Sequence, residues 1–235
     1  MTPSSRPTRS AMVDHIVDHT SDTRSIFLSL ADGHKVRFVP GQFISIAITL
    51  PDETRTRPYT IASPAGEAPF EICFNRVPGG RGAQWLFDRK VGDTIEFTGP
   101  YGAFTMESAP HADTIFIAEG TAIAPVRPMI HRAIGAPHPA ITLLYAASSQ
   151  QHLLYRAEFE AFAARDTSFQ FEPLLLQPSD IYPRLLAEAE HRWVAADSDR
   201  SRHFYLCGVG KGVIALRDLL RGAGYERRSV HYEQW

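Results

Sequence analysis

Five short stretches carry residue types suited to holding an anionic, aromatic ligand. In "RPYTIASP", Arg57 to Pro64, an arginine, a tyrosine and a threonine follow one another closely. A guanidinium can grip a pyrophosphate with two bonds, a phenol ring can lie on an aromatic ring system, and a hydroxyl can reach a ring nitrogen. The same run also reads as an ordinary barrel strand with Tyr59 on its wall, so its neighbours have to decide. Downstream, "GGRGAQWL" sets glycines before a helix, where free backbone N–H groups can receive a phosphate, although Gly-Gly also serves any tight turn.

Two further stretches sit where apolar runs give way to helices. "FIAEGTAIAPVRPMI" passes through Gly120-Thr121 into a helix with Pro125 in its first turn, a position that suits proline, and makes another anion site. It is not the G-x-G-x-x-G fingerprint. "YLCGVGKGV" puts Cys207 at the carboxyl end of a strand with glycines opening the next helix, where ligands collect on open α/β sheets. A lone cysteine before glycine is also a common buried hydrophobe. The fifth stretch is the ending "HYEQW", which places Trp235 last.

These stretches need two kinds of scaffold. From about Val13 to Met106 the chain reads as short β-rich runs separated by Gly, Pro and Asp turns: "RSIFLSLA", "HKVRFV", "QFISIAITL", "YTIAS", "FEICFNRV" and "DTIEFTG". They predict a small antiparallel β-barrel with one helix at "GAQWLFDRK". After "MESAPHAD" the pattern changes. The apolar strands "TIFIAEG", "AITLLYAAS", "FQFEPLLLQ", "RHFYLCGVG" and "SVHYEQW" alternate with helices at "APVRPMIHRAI", "LLYRAEFEAFAAR", "YPRLLAEAEHRW" and "GVIALRDLLRGAG". This alternation predicts an α/β doubly wound parallel sheet of five strands. The expected fold class is therefore two-domain, with residues 1–108 as the barrel and 109–235 as the α/β domain.

The totals agree with that plan. The 235 residues, 44% of them hydrophobic, suffice for two packed cores. Lys and Arg number 24 against 26 acidic residues, a net charge of −2, which offers no basic excess for nucleic acid or anionic membranes. The two cysteines, Cys73 and Cys207, lie far apart without a CxxC partner, so they build neither a zinc site nor a cysteine-ligated iron–sulfur cluster. No metal is expected. The opening residues lack a signal-peptide run and no stretch reaches membrane-span length, which makes the cytoplasm the expected location.

The succession of R-x-Y-[ST] in a barrel, a glycine loop before a helix, G-T-x-I-A-P after a strand, C-G before a later helix and an aromatic ending resembles the ferredoxin–NADP reductase superfamily over about residues 12–235. The resemblance implies that the barrel binds FAD and the α/β domain NAD(P)H. Carried over residue by residue, Arg57 neutralises flavin phosphate, with Pro58 beside it in the same motif, Tyr59 stacks on the isoalloxazine, and Thr60 bonds near its reactive nitrogen. Phe74 and Asn75 line the next flavin strand, and Gly80, Gly82, Ala83 and Gln84 form the pyrophosphate cradle. Gly120, Thr121, Ala122, Pro125 and Ser148 belong to the dinucleotide side. Cys207 and Gly208 lie beside the nicotinamide, and Glu233 and Trp235 near the flavin. Thr60, Cys207, Glu233 and Trp235 are the residues implied at the reacting centre, with Trp235 as a lid on the flavin face opposite Tyr59.

Three positions depart from the family pattern. Ala83 stands where relatives usually have Ser or Thr, which removes one hydroxyl-to-phosphate bond, a loss of about 1–2 kcal/mol. Glu119 and Ala122 stand where glycines are common, and a carboxylate near a pyrophosphate is repulsive, so Glu119 either points away or shifts the dinucleotide. The choice of NADH or NADPH stays open: no acidic residue or Arg ends the second α/β strand, Ser148 and Ser149 suit a phosphate, and Arg156 follows on the next helix.

The resulting expectation is an NAD(P)H-dependent flavin oxidoreductase that hands electrons to a separate protein, a ferredoxin or an oxygenase component. Two alternatives accompany it. One is a reductase of free, diffusible flavin, which Ala83 favours. The other is a flavin-binding subunit without hydride transfer, which Glu119, Ala122 and Ala83 motivate.

Overall fold

The run Phe43–Thr49 shows how the first half of the chain is built. Ile44, Ile46 and Ile48 are buried while Phe43, Ser45 and Ala47 are half-covered, the alternation of a strand with one face on a core. A computed structural model describes residues 7–235. It divides the chain into two units: one runs to Glu107 and takes in Arg127–Met129, and the other comprises Ser108–Val126 and Ile130–Trp235.

In the first unit β1 (Arg9–Asp18), β2 (Thr23–Leu30), β3 (Phe43–Thr49), β4 (Thr54–Thr60), β5 (Phe70–Asn75) and β6 (Thr94–Tyr101) pair antiparallel in the order β4-β3-β6-β1-β2-β5. Among the described residues one isolated bridge, Ile61 to Ile72, ties the two edges, so the sheet is barrel-like without closing. β4 carries Pro58, which has no N–H to donate and is tolerated on an edge strand. Helix α1 (Arg81–Phe87) buries Leu86 and Phe87 against the sheet's core.

The expected strand "HKVRFV" does not form. Val36 is buried as the alternation requires, but residues 35–39 join no ladder. The Val39 N–H donates to Gln42 Oε1 at 2.9 Å and its carbonyl accepts from the Gln42 N–H at 3.1 Å, which makes a turn. β1 starts earlier than Val13, at Arg9, and pairs with both β2 and β6.

In the second unit β7 (Thr114–Glu119), β8 (Ile141–Ala147), β9 (Phe169–Leu175), β10 (His203–Gly208) and β11 (Val230–Gln234) form a parallel sheet in the order β11-β10-β7-β8-β9. Helices α2 (Ile123–Ile134), α3 (Arg156–Arg165), α4 (Ile181–Ala189) and α5 (Lys211–Gly222) join the strands. On one face Ile115, Ile117, Phe204 and Leu206 pack with Ile181 and Leu185 of α4 and Val213, Leu216 and Leu220 of α5. On the other, Phe159 of α3 meets Phe171 of β9 at 5.5 Å.

Two helices differ from expectation. Leu153 and Leu154 are buried but precede α3, because Tyr155 takes a left-handed φ of 58° that starts the helix one residue later. The segment that reads as one helix to Trp193 widens into a π-helical stretch over Glu190–Ala195, which turns Trp193 into the core against Phe204. Among the described residues no helix is long and apolar enough to cross a membrane.

Candidate functional site

Arg57 and Tyr59 stand opposite Ile46 and Ile44 in the β3–β4 ladder, so they share one face of β4. α1 comes up against them: a Cβ added to Gly82 would lie 3.0 Å from Ile48 Cδ1, 3.5 Å from Arg57 Cγ and 3.6 Å from Tyr59 Oη. The stretches "RPYT" and "GGRG" are therefore neighbours in space. Among the described residues the Arg57 guanidinium meets no carboxylate, and its bond goes to the Thr56 carbonyl at 2.9 Å. The flanking arginines are paired, Arg55 with Glu53 and Arg81 with Asp52. An exposed, unpaired guanidinium beside a glycine turn fits the phosphate of a flavin dinucleotide.

The Tyr59 ring meets Phe74 edge-on, with centroids 5.5 Å apart, and burial pushes its phenol up to about 12. It is a neutral aromatic wall at any working pH. Thr60 is buried, Pro58 and Asn75 are exposed, and Asn75 closes β5. Gly80 precedes α1, whose first N–H groups no side chain caps. Ala83 leans half-buried on the barrel core. The Gln84 amide turns along the helix to donate to Asp88 Oδ1 at 2.8 Å.

In the second unit the strand order reverses between β7 and β10, and ligands of open α/β sheets collect beyond the carboxyl ends of the strands at such a point. Gly120 turns there with a φ of 49°, and its carbonyl accepts from Tyr145 Oη at 2.8 Å. Thr121 is half-buried, while Ala122 and Pro125 are buried. Ser148 is exposed at the end of β8, and its neighbour Ser149 bonds the His152 ring at 2.8 Å. Arg156 opens α3, paired with Glu160 and donating to Gln150 Oε1 at 2.9 Å.

Cys207 stands beside Glu233 in the β10–β11 ladder. Its burial, reinforced by the Glu233 and Glu119 carboxylates, pushes the thiol well up, which leaves a neutral thiol and no nucleophile. Burial also raises Glu233, against the opposing bond that Trp235 Nε1 donates to it at 3.1 Å. The Trp235 backbone bonds Gly208 and Gly210, while the residue is 43% exposed and lies outside the core.

The Glu119 carboxylate turns across the carboxyl end of the sheet, not away from it. Its Oε1 accepts from the Val209 N–H at 3.0 Å, across from the end of β7 to the loop after β10. Over this bridge lies Tyr182 of α4, which sequence reasoning treats only as a helix residue. A Cβ on Gly208 would come within 2.2 Å of Tyr182 Oη, and one on Gly212 within 2.1 Å of its ring. Local sequence carries no signal for this contact, because it joins the start of α4 to the start of α5.

Two units, one with an exposed arginine beside a glycine turn and one with an α/β switch point, agree with what the comparisons show. Residues 10–106 match the Oxidoreductase FAD-binding domain family and residues 116–215 the Oxidoreductase NAD-binding domain family. The chain is 32% identical over 222 residues to Ferredoxin--NADP reductase B of Sorangium cellulosum (strain So ce56), covering 90% of this chain and 91% of that protein. It is 26% identical over 228 residues to the Toluate 1,2-dioxygenase electron transfer component of Pseudomonas putida, covering 96% of this chain and 67% of that one. Among solved structures the Amycolatopsis cytochrome P450 reductase GcoB matches with a TM-score of 0.81 at 26% identity, over 98% of this chain and 71% of that one. The chain belongs to the ferredoxin–NADP reductase superfamily and is an NAD(P)H-dependent flavin oxidoreductase whose cofactors are FAD and NAD(P)H.

Proposed function

We propose that this chain is the reductase of a multicomponent electron-transfer system in the cytoplasm, with residues 1–108 holding FAD, residues 109–235 receiving NAD(P)H, and a ferredoxin or oxygenase component as the acceptor. The observation that carries this reading is the unpaired Arg57 guanidinium beside Tyr59 and Gly82. The names of the relatives, a ferredoxin reductase and a dioxygenase electron transfer component, support the choice of acceptor.

The cofactors supply the reactivity, as hydride donor and as a carrier that releases electrons singly or in pairs. The chain's own residues bind and orient. Arg57 neutralises phosphate, Tyr59 and Phe74 wall the flavin, Thr60 stands next to them on β4, and Gly120 and Thr121 receive the dinucleotide phosphates. Cys207, kept as a neutral thiol, and Gly208 border the nicotinamide, with Glu233 on the adjoining strand and Trp235 just after it. No side-chain base is needed, because positioning is the dominant contribution in such a transfer.

A second reading, reduction of free flavin, is favoured by Ala83, which offers no hydroxyl to a phosphate. Gel filtration followed by an acceptor assay separates the two. The proposal predicts a yellow protein that reduces a ferredoxin with NADH or NADPH without added flavin. A colourless protein that is active only on added flavin contradicts it.

A further inference from the structure

The switch-point crevice of the second unit is filled by the chain itself. Glu119 spans it from β7 to the Val209 N–H, so a carboxylate occupies an amide that opens the start of α5. Above it the Tyr182 ring lies so close to Gly208 and Gly212 that neither position has room for even a methyl group. Glycine inside the first turn of a helix costs stability relative to alanine, and here it is what the ring requires. A second planar ring does not fit between Tyr182 and those glycines.

The ring is not tied down by a strong bond. Tyr182 Oη is enclosed and makes no well-formed hydrogen bond among the described residues, although the Glu119 carboxylate and the Val209 N–H lie beside it, and burial together with that carboxylate raises its phenol. Enclosing a hydroxyl without a partner is unfavourable, so a swing outward recovers its hydration while giving up ring packing. That balance suits a movable part.

We propose that Tyr182 and Glu119 set the dinucleotide affinity of this protein as a built-in plug: the nicotinamide end of NAD(P)H seats only after the Tyr182 ring has left Gly208 and Gly212. The plug rests on the reading that the nicotinamide lies beside Cys207 and Gly208. A closed state that dominates at rest lowers apparent affinity by the fraction of open molecules, and removing it returns that factor. The Glu119 charge adds a repulsion toward the pyrophosphate in the same place.

The test is calorimetric titration of the FAD-loaded full-length protein with NAD+ and with NADP+, which measures binding without turnover. Tyr182→Ala is expected to lower the Kd of the preferred dinucleotide about thirtyfold. Tyr182→Phe, which keeps the ring and removes the enclosed hydroxyl that favours the swing outward, is expected to raise the Kd about fivefold. Glu119→Gln is expected to lower the Kd about threefold by removing the charge. If Y182A does not fold, Y182T carries the same expectation. Binding that Y182A weakens or leaves unchanged overturns the plug alone. Absence of binding in wild type and Y182A alike overturns the placement of the dinucleotide as well.

Discussion

Glycines at the start of α1 and α5 look alike in sequence and differ in what surrounds them. At Gly82 an added Cβ would meet Ile48, Arg57 and Tyr59 at 3.0–3.6 Å, a crowded but adjustable fit beside an unpaired guanidinium. At Gly208 and Gly212 it would meet Tyr182 at 2.2 and 2.1 Å, with no space left. The first glycine lets a helix approach the exposed Arg57 and Tyr59. The other two seat an aromatic ring from the same chain. A glycine before a helix thus reports that a side chain is excluded, and only the fold tells whether a ligand or a neighbouring residue excludes it.

The largest expected effect breaks this contrast directly. Gly212→Ala forces Tyr182 off its seat and is expected to cost about 2–3 kcal/mol of stability, as overpacking does, whereas Gly82→Ala costs less than about 0.5 kcal/mol. Denaturant melts of both variants check this, and in a Tyr182→Ala background the Gly212→Ala penalty should vanish, since the two residues interact directly. Equal costs at Gly82 and Gly212 would erase the distinction.

Next in size is Arg57→Ala. Loss of a charge-assisted contact to phosphate is worth about 1.5–3 kcal/mol, so the FAD Kd should rise about 30-fold, read by flavin fluorescence on dilution, with the NAD+ and NADP+ affinities of the second unit unchanged. A parallel loss of dinucleotide affinity would count against separate roles for the two units.

The smallest effect concerns Glu233. Burial raises its carboxyl above the ordinary value of 4.5. The folded state therefore holds a proton that the unfolded chain releases, and stability contributed by the protonated form is lost as pH rises from 4.5 through the folded value. Glu233→Gln removes this dependence. Its melting temperature should overtake that of the wild type by about 2 °C across that window, and identical pH profiles would show that Glu233 titrates normally.

Much of the architecture was legible because it depends on local patterning. β7 reads as a strand since every residue from Thr114 to Ala118 is buried between two layers. β3 reads through its isoleucines. "HKVRFV" has a similar alternation but joins no ladder, and pairing depends on neighbours that a short run cannot report. Most of β4 is polar because it is an exposed edge, so only its last residues stood out.

The site divides the same way. Arg57, Tyr59 and Gly82, which the structure brings together, stand out in sequence because each marks a strand or turn in its own right, and the departures at Ala83 and Glu119 are visible against the family pattern. What Glu119 does with its charge depends on Val209, and the role of Tyr182 depends on α4 and α5 meeting at one end of the sheet. Both are tertiary facts.

Hydride transfer from a nicotinamide dinucleotide to a flavin held by this chain is what joins the proposed roles of the two units. Anaerobic titration of the purified, FAD-loaded protein with NADH and with NADPH, followed by flavin absorbance, tests it most directly. The account predicts full bleaching by at least one of the two in proportion to the dinucleotide added. An oxidised flavin spectrum that neither dinucleotide changes would contradict it and leave a flavin-binding subunit without reductase chemistry.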